Sequence, residues 1–105
     1  MSTIWELLSV DAINLMGYIP QIITSDDPRP VVEQVNDRYA HGGGWRKFEG
    51  FKWDREKMTI EYPGDPAYEA VARCEVSPTE TIYIFAHAWV LIDRGGDDWE
   101  ICRMD

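Results

Sequence analysis

Apolar side chains recur with two different periods along the chain, and the period changes near Gly44. Between residues 3 and 19, Ile4, Leu7, Leu8, Ala12, Leu15 and Met16 fall near three-and-four spacing, which predicts an amphipathic helix. Ser9 and Asp11 offer caps for a second short helix, and Gly17 and Pro20 end the pattern. Ile19–Thr24 reads as a short strand, held to an edge or a strand start by Pro20. The next helix signal is stronger. Asp27 suits the N-cap and Pro28 the first helical position, while Val31, Val35 and Tyr39 share one face. Gly42 suits a left-handed C-cap, so the helix runs from Pro28 to about Ala40.

Beyond Gly44 the pattern alternates. Phe51–Trp53 and Met58–Tyr62 are short strands, and Pro63-Gly64 fits the centre of a type II turn. Residues 66–74 admit helix or strand; the alternation of Tyr68, Ala70, Ala72, Cys74 and Val76 favours a strand from about Val71 to Val76. Thr81–Asp93 reads as one long strand. Tyr83, Phe85, His87, Trp89 and Leu91 occupy one face, and Ile82, Ile84, Ala86, Ala88, Val90 and Ile92 the other. With both faces apolar the strand is central, and its length predicts a bend or bulge near His87. Arg94-Gly95-Gly96-Asp97 is a hairpin loop, after which Trp99–Met104 returns antiparallel, with Val90 expected opposite Ile101 and Ile92 opposite Trp99. The expectation is a single α+β domain over 1–105, its mainly helical N-terminal part (1–44) packed on a C-terminal antiparallel sheet (45–105).

Composition narrows the function classes. The chain has 105 residues, with Asp plus Glu at 19 against Lys plus Arg at 10, a formal net charge of −9. Direct nucleic-acid binding through a basic surface is excluded on that balance, because phosphate neutralisation needs clustered cations. Five Trp, five Tyr and three Phe exclude a solvated coil. No apolar run approaches the ~18 residues of a membrane span, and the N-terminus carries no secretory pattern. Cys74 and Cys102 do not make a disulfide framework and are expected as buried, reduced thiols in a cytoplasmic protein.

Candidate chemistry centres on Tyr39-Ala40-His41-Gly42-Gly43-Gly44-Trp45. The string resembles the oxyanion-hole motif of the hormone-sensitive-lipase family of α/β-hydrolases. That family also needs a serine in a Gly-x-Ser-x-Gly elbow, and Ser2, Ser9, Ser25 and Ser77 stand in no such setting. As a helix cap, the glycines are structural; as a loop, they expose backbone N–H groups beside Arg46 and Lys47, the adjacent basic pair of an acidic chain. The candidate contact residues are therefore His41, Gly42, Gly43, Gly44, Trp45, Arg46 and Lys47, with Trp53 and His87. No cofactor is called for. A zinc site from His41, His87, Cys74 and Cys102 lacks any ligand pair at close spacing, so no metal is expected. The paired acids Asp26-Asp27 and Asp97-Asp98 read as cap and turn residues.

Several strings taken in order carry a resemblance. They are Gly17-Tyr18-Ile19-Pro20, Asp26-Asp27-Pro28-Arg29-Pro30, His41 to Trp45 with Phe48 and Gly50-Phe51, Tyr62-Pro63-Gly64-Asp65-Pro66, Ala88-Trp89-Val90 and Arg103-Met104-Asp105. From about residue 15 to the end, the chain resembles a group of small proteins encoded by phages of actinobacteria. The resemblance implies an accessory protein acting in a bacterial cytoplasm or in particle assembly, and it transfers no catalytic residue. The expected function is a non-enzymatic binding module docking on a host or phage protein. Its acidic surface favours a basic or nucleic-acid-binding partner, by charge mimicry in one version. The alternatives are a small-ligand or enzymatic domain built on the Gly42–Gly44 loop and a self-associating structural component.

Overall fold

Alternating apolar residues in the second half of the chain build one continuous antiparallel sheet. The computed structural model describes residues 6–8, 31–38, 44–47, 49–85 and 89–103. Within them the elements are β1 (Glu6–Leu7), α1 (Val31–Arg38), β2 (Lys52–Asp54), β3 (Thr59–Glu61), β4 (Tyr68–Ser77), β5 (Glu80–Phe85), β6 (Trp89–Asp93) and β7 (Trp99–Arg103). Strands β2 to β7 follow one another in sequence order as a meander that curls into a half-barrel. The α+β expectation is therefore corrected: the described residues form an essentially all-β domain. Helix α1 falls inside the expected 28–40 span and buries Val35, but one two-turn helix among the described residues is not a layer. Glu6–Leu7, expected as helix, is a strand paired with Ala72–Arg73. Its cross-strand partner overrides the local period, and Arg73 Nε donates to Glu6 Oε2 at 2.6 Å. Leu8, expected in the same helix, instead donates its N–H to Val71 O of β4; the expected Ile19–Thr24 strand and residues 3–5 and 9–19 of the first helix lie outside the described residues.

The long strand expected over 81–93 is in fact a hairpin. Strand β5 turns back on β6, with Phe85 opposite Trp89, Ile84 opposite Val90 and Ile82 opposite Ile92. Residues 86–88, including His87, lie outside the described residues. Because every pair joins positions of equal parity, the two side-chain sets survive the fold-back intact. Tyr83, Phe85, Trp89 and Leu91 still share a face, as do Ile82, Ile84, Val90 and Ile92. The alternation therefore fitted both a straight strand and a hairpin. The β6–β7 register also differs from expectation: Val90 faces Cys102, Leu91 faces Ile101 and Asp93 faces Trp99. This one-residue slip moves Ile101 and Trp99 to the Leu91 face.

Strand β4 breaks register with β5 twice, between Ala70 and Ala72 and between Glu75 and Ser77, and the first break bends the sheet. Ala70 faces Phe85 but Ala72 faces Ile84, so Val71 is an extra, bulged residue. A bulge bends its strand and increases the twist. Here it also marks a handover along one edge of β4. Before it, Ala70 N–H donates to Met58 O from the β3 side (2.8 Å); at it, Val71 O accepts from Leu8 N–H on the β1 side (2.9 Å). Curling brings β2 across the sheet onto β5, three places along the strand order. The Trp53 ring lies 4.8 Å from that of Tyr83 and 5.9 Å from that of Phe85, and Phe51 lies 5.1 Å from Trp89. These rings, with Ile60, Ala70, Leu91 and Ile101, fill the concave side. On the opposite face Ala72, Cys74, Ile82, Ile84, Val90, Ile92 and Cys102 are buried as well, so the central strands are covered on both sides.

Leu91 sits at 0% exposure in the centre of the concave core. Leu91→Ala is expected to cost about 3 kcal/mol, read as a fall in the urea midpoint at unchanged slope.

Candidate functional site

The β6–β7 loop follows a buried acid. Asp93 ends β6 on the aromatic face, 6% exposed. A lone carboxylate there would be strongly disfavoured, so its partners decide the local structure. The nearest is sequence-local: Gly95 N–H donates to Asp93 Oδ1 at 2.8 Å, the turn-closing bond Asp makes two residues on. Gly95 and Gly96 take φ of 100° and 55°, which glycine adopts without steric cost. Across the barrel, Trp53 Nε1–H donates to Oδ2 at 3.1 Å, and Arg55 grips both oxygens, Nε to Oδ2 at 2.5 Å and Nη2 to Oδ1 at 2.7 Å. Arg55 is aimed by the β2–β3 turn, where Lys57 N–H donates to Asp54 Oδ1 and Met58 takes φ 54°. Burial works against the Asp93 anion. The Arg55 fork, the Gly95 N–H and the Trp53 N–H more than offset it, so the carboxyl titrates below its usual range.

Further cations hold the same loop. Arg55 Nη2 donates to Gly96 O at 3.0 Å, and Lys47 Nζ donates to Asp97 O at 2.5 Å while standing 5.1 Å from the Trp99 ring centre. Arg94 lies among Glu100 (2.8 Å), Glu80 (3.4 Å) and Asp98 (3.5 Å), tying the loop to β5 and β7.

The expected glycine-loop site is only partly reassembled. His41, Gly42, Gly43 and His87 lie outside the described residues. Gly44 takes φ 63° and is buried; Trp45 N–H donates to Asn36 Oδ1 of α1 at 3.1 Å. That N–H is therefore spent on the helix. Arg46 exchanges two backbone bonds with Ile101, its N–H to O at 3.0 Å and its O from N–H at 2.8 Å, so this segment lies along the β7 edge. Trp53 does not join Trp45 and Arg46 in an exposed patch; it is half-buried in the concave core. Lys47 and Trp53 do converge, from separate directions, on the 93–97 loop. Missing from the expected set were Arg55, Asp93 and Arg94. The Asp-x-Gly turn signal marks Asp93 in the sequence; nothing local marks Arg55, 38 residues away.

The catalytic possibilities narrow accordingly. Both cysteines are free and buried. Cys74 and Cys102 lie on β4 and β7, three strand spacings or about 14 Å apart, beyond disulfide reach. Burial raises the Cys102 thiol to about 11, with Arg46 pulling weakly the other way, so it stays protonated at neutral pH and is a poor nucleophile. Among the described residues, no group of three His, Cys, Asp or Glu is placed to hold a metal ion, and no helix is long and apolar enough to cross a membrane.

Two predictions follow from these contacts. Asp93→Ala removes the acceptor shared by Arg55, Trp53 and Gly95 and is expected to cost about 3 kcal/mol at pH 7. The folded pKa lies below the unfolded value of about 3.9, so this contribution is complete above that pH and lost as pH falls through the folded value. Urea titrations should show the gap between wild type and Asp93→Ala narrowing below about pH 4. Gly44→Ala places a Cβ against Asn36 Oδ1 at positive φ and should destabilise by about 1–2 kcal/mol, measured by thermal melting. No family model matches the chain, and no curated protein or solved structure shows significant similarity to it.

Proposed function

We propose that the protein is a non-enzymatic binding module that docks on a basic partner protein. One observation carries this reading: among the described residues exposed acidic side chains outnumber exposed basic ones, and four of the ten basic side chains are turned onto acceptors of the chain itself. Arg55 is held by Asp93, Arg73 by Glu6, Arg94 by Glu80, Asp98 and Glu100, and Lys47 by a loop carbonyl. Meanwhile Glu33, Glu49, Asp54, Glu56, Glu61, Asp65 and Glu69 are exposed. With a net charge of −9, the outward field is negative, and such a field steers association with cationic surfaces. An accessory role on a host or phage protein, implied by the resemblance read from the sequence, is part of this proposal. For the glycine-loop alternative, His41, Gly42 and Gly43 lie outside the described residues, and the neighbouring Trp45 N–H is bonded to Asn36.

The test is a quantitative pull-down from bacterial lysate at low and high salt, beside an unrelated protein of matched size and charge. One dominant basic protein absent from the control is the expected result. If that partner binds nucleic acid and is released by salt, charge mimicry becomes the mechanism. Equal capture by bait and control would overturn the reading.

A further inference from the structure

Opposite the Asp93 end of the half-barrel, a row of rings reaches the surface. Trp89, Phe51 and Tyr62 stand in sequence, with centroids 5.1 Å and 4.9 Å apart. At the Trp89 end, the Arg103 guanidinium lies 5.5 Å from the ring centre. At the other end Tyr62 is 43% exposed, the large hydrophobic side chain that stands out on the described surface. Two turns build this end. Gly50 takes φ 90°, and a Cβ there would press on the Pro63 ring at 3.1 Å, so the 49–51 turn fits against the 62–65 turn. The second turn is closed by Asp65 N–H donating to Tyr62 O at 3.0 Å, with Gly64 at φ 92°. Glu49 and Asp65 lie on these two abutting turns and Glu61 precedes Tyr62 in the chain, all three exposed and in no ion pair among the described residues. Lys52 is placed opposite Glu61 in the ladder and leaves the acids in excess.

We infer that this rim is the docking surface of the proposed module, and that its occupant is an arginine-bearing extended segment of the basic partner, with a guanidinium over Tyr62 and its flanking cations against Glu49, Glu61 and Asp65. The inference rests on the binding-module reading. Two features of the rim select the occupant. The ring row already accepts a guanidinium at its Trp89 end, through cation–π attraction, and at its other end Tyr62 is 43% exposed with no cation over its ring among the described residues. The Glu49, Glu61 and Asp65 carboxylates match a positive segment and repel an acidic one.

The experiment is a fluorescence-anisotropy titration of the full chain with a labelled nona-arginine peptide, repeated with nona-lysine. Four proteins are compared: wild type, Tyr62→Ala, Glu61→Gln/Asp65→Asn, and a charge-matched control, Glu33→Gln/Glu56→Gln, altered away from the rim. Thermal melts confirm that each is folded, and Tyr62→Leu, which keeps an apolar group on Phe51, stands in for Tyr62→Ala if that variant is unstable. The expected result is arginine preferred over lysine, with affinity falling about fivefold in Tyr62→Ala and in the rim double variant, and little in the control. Equal loss in rim and control variants, or unchanged binding by folded Tyr62 variants, overturns the rim and leaves the acidic-module reading standing. No binding of either peptide to the wild type overturns both.

Discussion

One carboxylate determines how this sheet can close. Asp93 lies where β6 leaves the core, and it is too buried to remain ionised without donors. Its two oxygens collect the Gly95 N–H from its own turn and the Trp53 and Arg55 side chains from the far end of the strand order. The Val71 bulge bends the meander but does not by itself specify which strands meet. The Asp93 contact does, because satisfying the buried anion requires β2 and its turn to lie across β5 and β6. The aromatic packing of Trp53 on Tyr83 and Phe85 then fills the space so enclosed. Burial of the rings provides most of the favourable free energy. The ion pair contributes less to net stability, yet it fixes which strands meet, since the unpaired alternative leaves a charge in a dry site.

The two ends of the half-barrel differ in chemistry as a result. At the Asp93 end, polar groups are satisfied internally and cations are consumed. At the Tyr62 end, the rings emerge beside Glu49, Glu61 and Asp65, which form no ion pair among the described residues. With 19 acidic and ten basic residues, four of the latter held by acceptors of the chain itself, exposed acids outnumber exposed bases on the described surface. The basic pair Arg46-Lys47 is exposed, yet each residue is tied to the sheet. Arg46 is stitched to β7 through its backbone, and Lys47 is turned onto a loop carbonyl and the Trp99 ring.

Local features were legible in the sequence wherever the information was local. The core of the 28–40 helix, the Pro63-Gly64 turn, the strands near 52–54 and 59–61 and the glycine hairpin after Asp93 all follow from caps, turn residues and alternation within a few positions. Failures occurred where pairing partners are distant or where parity hides the answer. Glu6–Leu7 has helical spacing but takes its structure from Ala72 and Arg73. Alternation across 81–93 is identical for a straight strand and for a hairpin with an odd number of turn residues. In the β6–β7 pairing, a one-residue difference in loop length exchanged the faces of Trp99 and Ile101. The Arg55–Asp93 pair could not be read at all, because each residue alone resembles an ordinary turn residue.

The edge of β4 shared by β3 and β1 has a consequence for the order of events during synthesis. β3 pairs with residues that follow it closely, whereas Glu6 must wait for Arg73, 67 positions later. Ribosomal emergence is therefore out of step with strand assembly. The first strand leaves the exit tunnel long before its template exists, and the template gains its second neighbour only when β5 folds back onto it. Closing so long a loop is entropically slow. The N-terminal strand thus joins a nearly finished sheet, and the middle of β4 keeps an open hydrogen-bonding edge until it arrives.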